Sequence, residues 1–425
     1  MRFYISAIIL LFSSILFCQT QKVKINSNNN GFSLTVDDSP FFIEGMNWDY
    51  YPIGKNYDYK IWEQDEDFIK RVLEYEMGML RDMGVNAIRQ YVGIPKKWIS
   101  YIYENYEIYT VLNHAFGRYG VQANGRWHKH TDYHSESMQQ SLLDEIKTLA
   151  EDYRDTPGLL MYLLGNENNY GLFWEGAETE DIPSNTSAKE YQALALYKLF
   201  NEASLIIKSI DTNHPVAICN GDLVYIDMIN KYCKDVDIFG TNIYRGVSFG
   251  DAFACVKEKL NMPILFTEFG ADAFNAVTDQ EDQSYQAEVF LKNWEEIYIN
   301  ASGMGGADNS IGGLSFQFSD GWWKYGQTKN LDVHNTQANW ANGGYKSDYI
   351  KGKNNMNEEW FGVCAKEPSP VINEYKLKPR AAYYAIKEAH KLDLYQHPAT
   401  QNAIRIHFSK IKIESNKKEM AQKAN

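Results

Sequence analysis

Short apolar runs alternate along the chain with longer segments in which apolar residues recur at helical spacing. The clearest run is apolar from Leu159 to Leu164 and then changes abruptly to Gly165, Asn166 and Glu167. A continuous apolar run that ends at a turn residue is typical of a strand buried on both faces. The chain contains eight such runs, which predict eight strands at 41–48, 86–92, 108–116, 159–167, 215–222, 236–244, 263–270 and 312–320.

The segments between these runs have the period of amphipathic helices. After the first run, apolar residues at helical spacing extend from Ile69 to Met83, and Gly84 follows as a natural C-terminal stop. Residues 223–233 and 378–392 are further helix candidates. Buried strands that alternate with helices pair in parallel through crossover connections. Eight such units predict an α/β fold of the (β/α)8 TIM-barrel type, which typically takes ~250 residues.

Two segments precede the predicted barrel. Residues 1–20 combine a short charged start, an apolar stretch too short to span a bilayer and a polar shift, and they predict a secretion signal. The alternative is a lipid anchor at Cys18, which the bulky Phe17 before it disfavours. Residues 21–40 alternate around an Asn/Gly turn and predict a hairpin at the barrel floor. The protein is therefore expected to be secreted, periplasmic or exposed at the cell surface.

The catalytic barrel is predicted to occupy residues 41–395, and the weakly patterned residues 396–425 form an irregular C-terminal extension without an inferred role. Hydrophobic residues make up 44% of the 425 residues, which is enough for a large core. The net charge of −13 and the lack of a Lys/Arg stripe argue against a nucleic-acid partner. No transmembrane segment is predicted after the signal, and the few cysteines do not form a disulfide scaffold.

The carboxyl ends of the predicted strands carry the candidate chemistry, because in TIM barrels these ends face a common pocket. Glu167 and Glu268 lie at the ends of the fourth and seventh runs and are therefore expected nearly opposite each other around an eight-strand ring. The candidate substrate-binding residues are the other polar and aromatic side chains at these ends: Trp48, Arg89, His114, Asn166, Asn242, Tyr244, Trp322 and Trp323. Trp127 and Trp174 are further candidates for stacking on a sugar ring.

Paired carboxylates across a pocket are what the cleavage of a glycosidic bond requires. One acid protonates the departing oxygen, and one ionised carboxylate attacks the anomeric carbon in a retaining double displacement. Glu167 is predicted to act as the acid/base and Glu268 as the nucleophile, with Arg89 and Tyr244 as donors beside Glu268. Asn166 is expected to contact the sugar hydroxyl next to the reacting carbon.

The same residues resemble glycoside hydrolase clan A, whose retaining enzymes carry catalytic glutamates after strands four and seven. LGNENN (164–169) and ILFTEFG (264–270) resemble the acid/base and nucleophile strands of the clan. GVNAIRQY (84–91) and GGLSFQFSDGWW (312–323) are similar to the barrel domain of family 2. FFIEGMNWDYYP (41–52) and DIFGTNIY (237–244) resemble the β-1,3-glucanosyltransferases of family 72.

The resemblance implies a glycosidase that needs no cofactor and acts on β-linked oligo- or polysaccharide, with β-glucan as the first expectation. It implies the same roles for Glu167, Glu268, Asn166, Arg89 and Tyr244, and a sugar platform at Trp322 or Trp323. Two departures stand out: family 2 enzymes usually carry β-sandwich domains before the barrel, and family 72 enzymes carry a cysteine framework that this chain does not reproduce.

Two alternatives stay open at this point. The same glutamate pair is compatible with glycosyl transfer to another sugar instead of water, and the barrel is also compatible with a non-catalytic carbohydrate-binding protein.

His128, His130 and His134 lie close together in the sequence, but no cysteine or spaced acidic set completes a metal site. Solvated or sugar-binding histidines are therefore the favoured interpretation. No phosphate-binding glycine motif or serine nucleophile elbow is present.

Overall fold

The computed structural model describes residues 20–91, 93–172, 186–337, 356–395 and 400–413. The predicted signal and Cys18 lie outside these residues, as does Trp174. The strands are β1 (Val23–Asn28), β2 (Gly31–Val36), β3 (Ser39–Phe41), β4 (Ile43–Asn47), β5 (Ala87–Gln90), β6 (Tyr109–His114), β7 (Val121–Ala123), β8 (Arg126–His128), β9 (Leu159–Leu164), β10 (Val216–Gly221), β11 (Ile238–Asn242), β12 (Ile264–Phe269), β13 (Phe274–Asn275), β14 (Gln280–Glu281), β15 (Ser310–Ser315), β16 (Cys364–Pro368) and β17 (Tyr375–Pro379).

The helices lie mainly between the barrel strands. They are α1 (Glu66–Asp82), α2 (Lys96–Tyr106), α3 (Glu136–Tyr153), α4 (Thr186–Ile210), α5 (Ile226–Tyr232), α6 (Ala252–Lys259), α7 (Gln283–Ile299), α8 (Ala381–Ala389) and α9 (Gln401–Lys410).

Eight parallel strands close into a barrel in the order β4, β5, β6, β9, β10, β11, β12 and β15, with β15 pairing back to β4. Each of these strands overlaps one of the predicted runs, and the (β/α)8 TIM barrel predicted from the sequence is confirmed. The predicted helix stop is also present, because Gly84 adopts a positive φ of 79° directly after α1.

The floor of the barrel is covered by the N-terminal hairpin. β1 pairs with β2 in antiparallel register from Val23↔Val36 to Asn28↔Gly31. Val23, Leu34 and Val36 are buried in one cluster with inward side chains of the barrel strands, such as Leu160 and Leu163. This packing closes one end of the barrel and leaves the carboxyl ends of the strands as the open end.

Part of the C-terminal extension, residues 400–413, contains a helix that its weak pattern did not predict. Its helix α9 begins after Thr400, whose hydroxyl accepts a hydrogen bond from the backbone N–H of Ala403. Ile404 and Phe408 are buried, and Phe408 packs against the ring of Tyr298 on α7. Within the described residues no helix is both long and apolar enough to cross a membrane.

Candidate active site

Side chains from five barrel strands form one hydrogen-bonded network at the open end of the barrel, with Arg89 at its centre. Arg89 is fully buried on β5, and each of its three nitrogens contacts a different strand. Nε donates to Asn113 Oδ1 at 2.8 Å, Nη2 to Asn166 Oδ1 at 2.8 Å and Nη1 to Glu268 Oε1 at 2.9 Å. Burial opposes the charge of Arg89, but Tyr91 and the other acidic groups around it raise its pKa above the ordinary value, so the side chain stays protonated.

Glu268, at the end of β12, receives hydrogen bonds on both carboxylate oxygens. Arg89 and Tyr91 donate to Oε1, at 2.9 and 2.5 Å, and Tyr244 donates to Oε2 at 2.9 Å. Only 6% of Glu268 is exposed, so these donors act where water screens little of the charge. Donors that point at a carboxylate stabilise its ionised form, which is the form that a nucleophile needs.

Glu167 follows β9 in a left-handed backbone turn. Gly165 has φ 86° and Glu167 has φ 53°, so the chain bends sharply at the end of the strand. A Cβ atom at position 165 would lie 2.6 Å from Asn168 Oδ1 and 2.9 Å from the ring of Phe200, so only glycine fits this bend. The turn brings the Glu167 carboxylate to Asn242, whose Nδ2 donates to Glu167 Oε1 at 2.9 Å.

Asn166 and Asn242 connect the two glutamates. Asn242 Nδ2 also donates to Asn166 Oδ1 at 3.1 Å, and the same oxygen accepts from Arg89, which donates to Glu268. Thr267 fixes the Asn242 amide because its hydroxyl donates to Asn242 Oδ1 at 2.7 Å. The two carboxylates therefore belong to one continuous hydrogen-bonded network at the carboxyl ends of the barrel strands.

Tyr91, Asn113 and Tyr119 take part in this network without having been among the candidate site residues. Tyr91 lies at the end of a predicted strand, so its position in the sequence could have indicated a place in the site. Asn113 is the inward neighbour of His114. Tyr119 lies on the loop after β6, where strand periodicity gives no information. Its ring is 45% exposed, and its hydroxyl accepts a hydrogen bond from Asn166 Nδ2 at 2.9 Å.

Two sequence-based assignments are wrong because successive side chains of a strand point to opposite faces. Trp48 is fully buried, and its indole N–H donates to Glu76 on α1, so no sugar reaches its ring. His114 lies 3.3 Å from Glu145 on α3, outside the barrel. The inward residue is the preceding one in each case: Asn47 or Asn113.

Trp322 and Trp323 lie on the loop after the eighth barrel strand, but protein groups pack against both rings. Trp322 stacks on His334 with the ring centroids 4.9 Å apart. Trp323 is 8% exposed, with Tyr51 against its ring and Lys324 Nζ 4.7 Å from its centroid. A platform role for either tryptophan stays a prediction.

The histidine-rich stretch does not form a metal cluster in the described residues. No group of three His, Cys, Asp or Glu side chains there has the arrangement to hold a metal ion. His134 stacks on Tyr191 with centroids 3.7 Å apart, and His128 accepts a hydrogen bond from Arg126. These contacts give the histidines roles in loop packing.

Comparison with known proteins places the fold but not the family. No protein-family model matches the chain, and no curated protein matches its sequence. Solved structures do match: a GH2 β-galacturonidase from Eisenbergiella tayi has a TM-score of 0.54 at 13% identity, over 87% of this chain and 54% of that one. A β-glucuronidase from Bacteroides uniformis has a TM-score of 0.55 at 11% identity, over 87% and 37%. A β-glucuronidase from Parabacteroides merdae has a TM-score of 0.53 at 14% identity, over 87% and 39%.

The chain thus spans between about a third and about half of the length of these three enzymes. At such low identity the likeness concerns the fold. The chain shares the TIM-barrel architecture of solved β-galacturonidases and β-glucuronidases, and its own network around Arg89 occupies the barrel end where that architecture places its chemistry.

Proposed function

We propose that the protein is a retaining β-glycosidase in which Glu268 is the nucleophile and Glu167 the acid/base. The observation that carries the proposal is the pair of unlike carboxylate environments at one barrel opening. Glu268 is buried and held by Arg89, Tyr91 and Tyr244, while Glu167 is less buried and sits on a turn beside Asn242. Unlike surroundings let one carboxylate stay ionised while the other exchanges protons.

The reaction proceeds in two displacements. Glu268 attacks the anomeric carbon while Glu167 gives its proton to the departing glycosidic oxygen, which leaves a covalent glycosyl-enzyme. Glu167 then takes a proton from water, the water oxygen bonds to the anomeric carbon, and Glu268 is released as a carboxylate. Asn166, held between Arg89 and Asn242, is positioned to donate its amide N–H to the neighbouring sugar hydroxyl.

The enzyme is proposed to act on β-linked oligo- or polysaccharide without a cofactor. Two kinds of support exist for the substrate class: the glutamate pair, and a fold shared with enzymes named as β-glucuronidases and β-galacturonidases. β-Glucan is kept as the first substrate to try, and the uronides of those neighbours come next. We also propose that residues 1–20 direct the protein out of the cytoplasm.

The test is a screen of aryl β-glycosides and β-linked oligosaccharides with the parent protein and with Glu268→Gln and Glu167→Gln. Loss of the nucleophile is expected to lower kcat by roughly three to six orders of magnitude, the range seen when a unit of catalytic residues is broken. Azide is expected to rescue a Glu268→Gly variant with formation of the α-glycosyl azide, because azide enters from the face that the nucleophile has vacated.

Glu145→Gln is the matched control, since Glu145 carries the same charge on the outer face of the barrel. Products longer than the substrate would assign the activity to glycosyl transfer rather than hydrolysis. Full activity in Glu268→Gln would contradict the proposal.

A further inference from the structure

The most exposed tryptophan in the described part of the chain stands beside the candidate active site. Trp127 is 59% exposed, whereas the other tryptophans of the described residues are at least partly covered. It lies on β8, in a short hairpin that follows the third barrel strand. An exposed indole at this place is available to stack on the apolar face of a ligand.

Strand pairing, core packing and contacts with a helix fix the position of the hairpin that carries Trp127. β7 pairs with β8 so that Trp127 is opposite Gln122, and Val121 on the other face is buried in the main core. Helix α3 fixes the hairpin from outside: Ser141 donates to the carbonyl of Gln122 at 2.5 Å, and Asn124 donates to Ser137 at 3.0 Å. A binding residue whose backbone is already fixed loses less entropy when it binds than one on an irregular loop.

Gly120 connects this ring to the catalytic network. Its φ is 119°, and a Cβ atom there would lie 2.5 Å from the Trp127 ring, so the indole packs directly on the glycine backbone. The residue before it is Tyr119, whose hydroxyl contacts Asn166 and whose ring is 45% exposed. Two exposed aromatic side chains therefore extend outward from the residue predicted to touch the reacting sugar.

We propose that Trp127 forms a second sugar-binding subsite, which stacks on a pyranose ring one or more units away from the reacting sugar. The apolar face of a pyranose packs on an indole in the way that an aromatic ring does, and Tyr119 covers the space between the two positions. The inference rests on the proposed function and adds that the substrate contains at least two linked sugars. The protein then discriminates by chain length.

The test compares Trp127→Ala and Trp127→Phe on aryl monoglycosides and on β-linked gluco-, galacto-, manno- and glucurono-oligosaccharides of two to six units. Trp127→Ala is expected to lower kcat/KM for the longer substrates by up to about tenfold, the size of one stacked aromatic pair. It is expected to change the monoglycosides by less than about twofold, and Trp127→Phe restores most of the loss. Tyr384→Ala, which removes another exposed aromatic ring, on α8, is the control.

A binding measurement separates this inference from the proposed function. Calorimetry with Glu268→Gln, alone and combined with Trp127→Ala, measures affinity for the same oligosaccharides without turnover. If the parent protein hydrolyses none of the panel but the double variant binds oligosaccharides about tenfold more weakly than Glu268→Gln, the hydrolase proposal fails and the subsite stands. Equal effects on short and long ligands, or no oligosaccharide binding at all, would overturn the subsite.

Discussion

Tyr91→Phe tests whether the donors around Glu268 maintain its role as nucleophile. The substitution removes the hydroxyl that donates to Glu268 Oε1 at 2.5 Å and keeps the ring, which packs edge-on to Phe316. A hydrogen bond to a charged group contributes about 1.5–3 kcal/mol. Without this hydrogen bond the nucleophile is held less well for attack, and a loss of about 1.5–3 kcal/mol corresponds to a fall in kcat/KM of roughly ten- to a hundredfold.

The assay is kcat/KM on an aryl β-glycoside that the parent cleaves. Tyr244→Phe is the matched variant, because Tyr244 donates to the other oxygen of Glu268 at 2.9 Å and its loss is expected to lower kcat/KM by a similar factor. A kcat/KM equal to that of the parent in both variants would refute the assignment of Glu268 as the nucleophile that these hydroxyls hold.

Three further outcomes follow from the geometry. Gly165→Ala is expected to lower kcat by at least about tenfold with a modest loss of stability, because the added Cβ meets Asn168 and Phe200 and turns Glu167 away. Unchanged turnover in this variant would contradict the role of the bend. Trp48→Ala is expected to cost about 3–5 kcal/mol in a denaturant titration, as a buried tryptophan does, so a native midpoint with weaker sugar binding would restore the original assignment. Burial raises the pKa of Glu76 to about 7, so between pH 5 and pH 7 the folded protein holds a proton on Glu76 that the unfolded chain has released. The free energy of unfolding is therefore expected to fall over this pH range, and Glu76→Gln is expected to flatten the slope.

The barrel was predictable because its strands are buried on both faces. A run such as Leu159–Leu164 is apolar at every position, so its identity does not depend on which face each side chain takes. The place of the two glutamates at the strand ends was predictable for a related reason, since a polar residue at the end of an apolar run lies at the end of the strand.

The predictions that failed depend on orientation rather than on position. At the end of a strand, neighbouring side chains point in opposite directions, and the residue type does not say which one points inward. Trp48 and His114 were therefore chosen where Asn47 and Asn113 face the pocket. Tyr119 lies on a loop, where its place beside Asn166 depends on the fold of the whole chain.

The Arg89 guanidinium limits how this protein can change. One planar group joins Asn113, Asn166 and Glu268, which belong to three separate walls of the ring, so none of the three can move without loosening the other two. Differences in substrate preference are therefore expected to arise in the connecting loops, such as the hairpin that carries Trp127, whose residues make none of these three contacts.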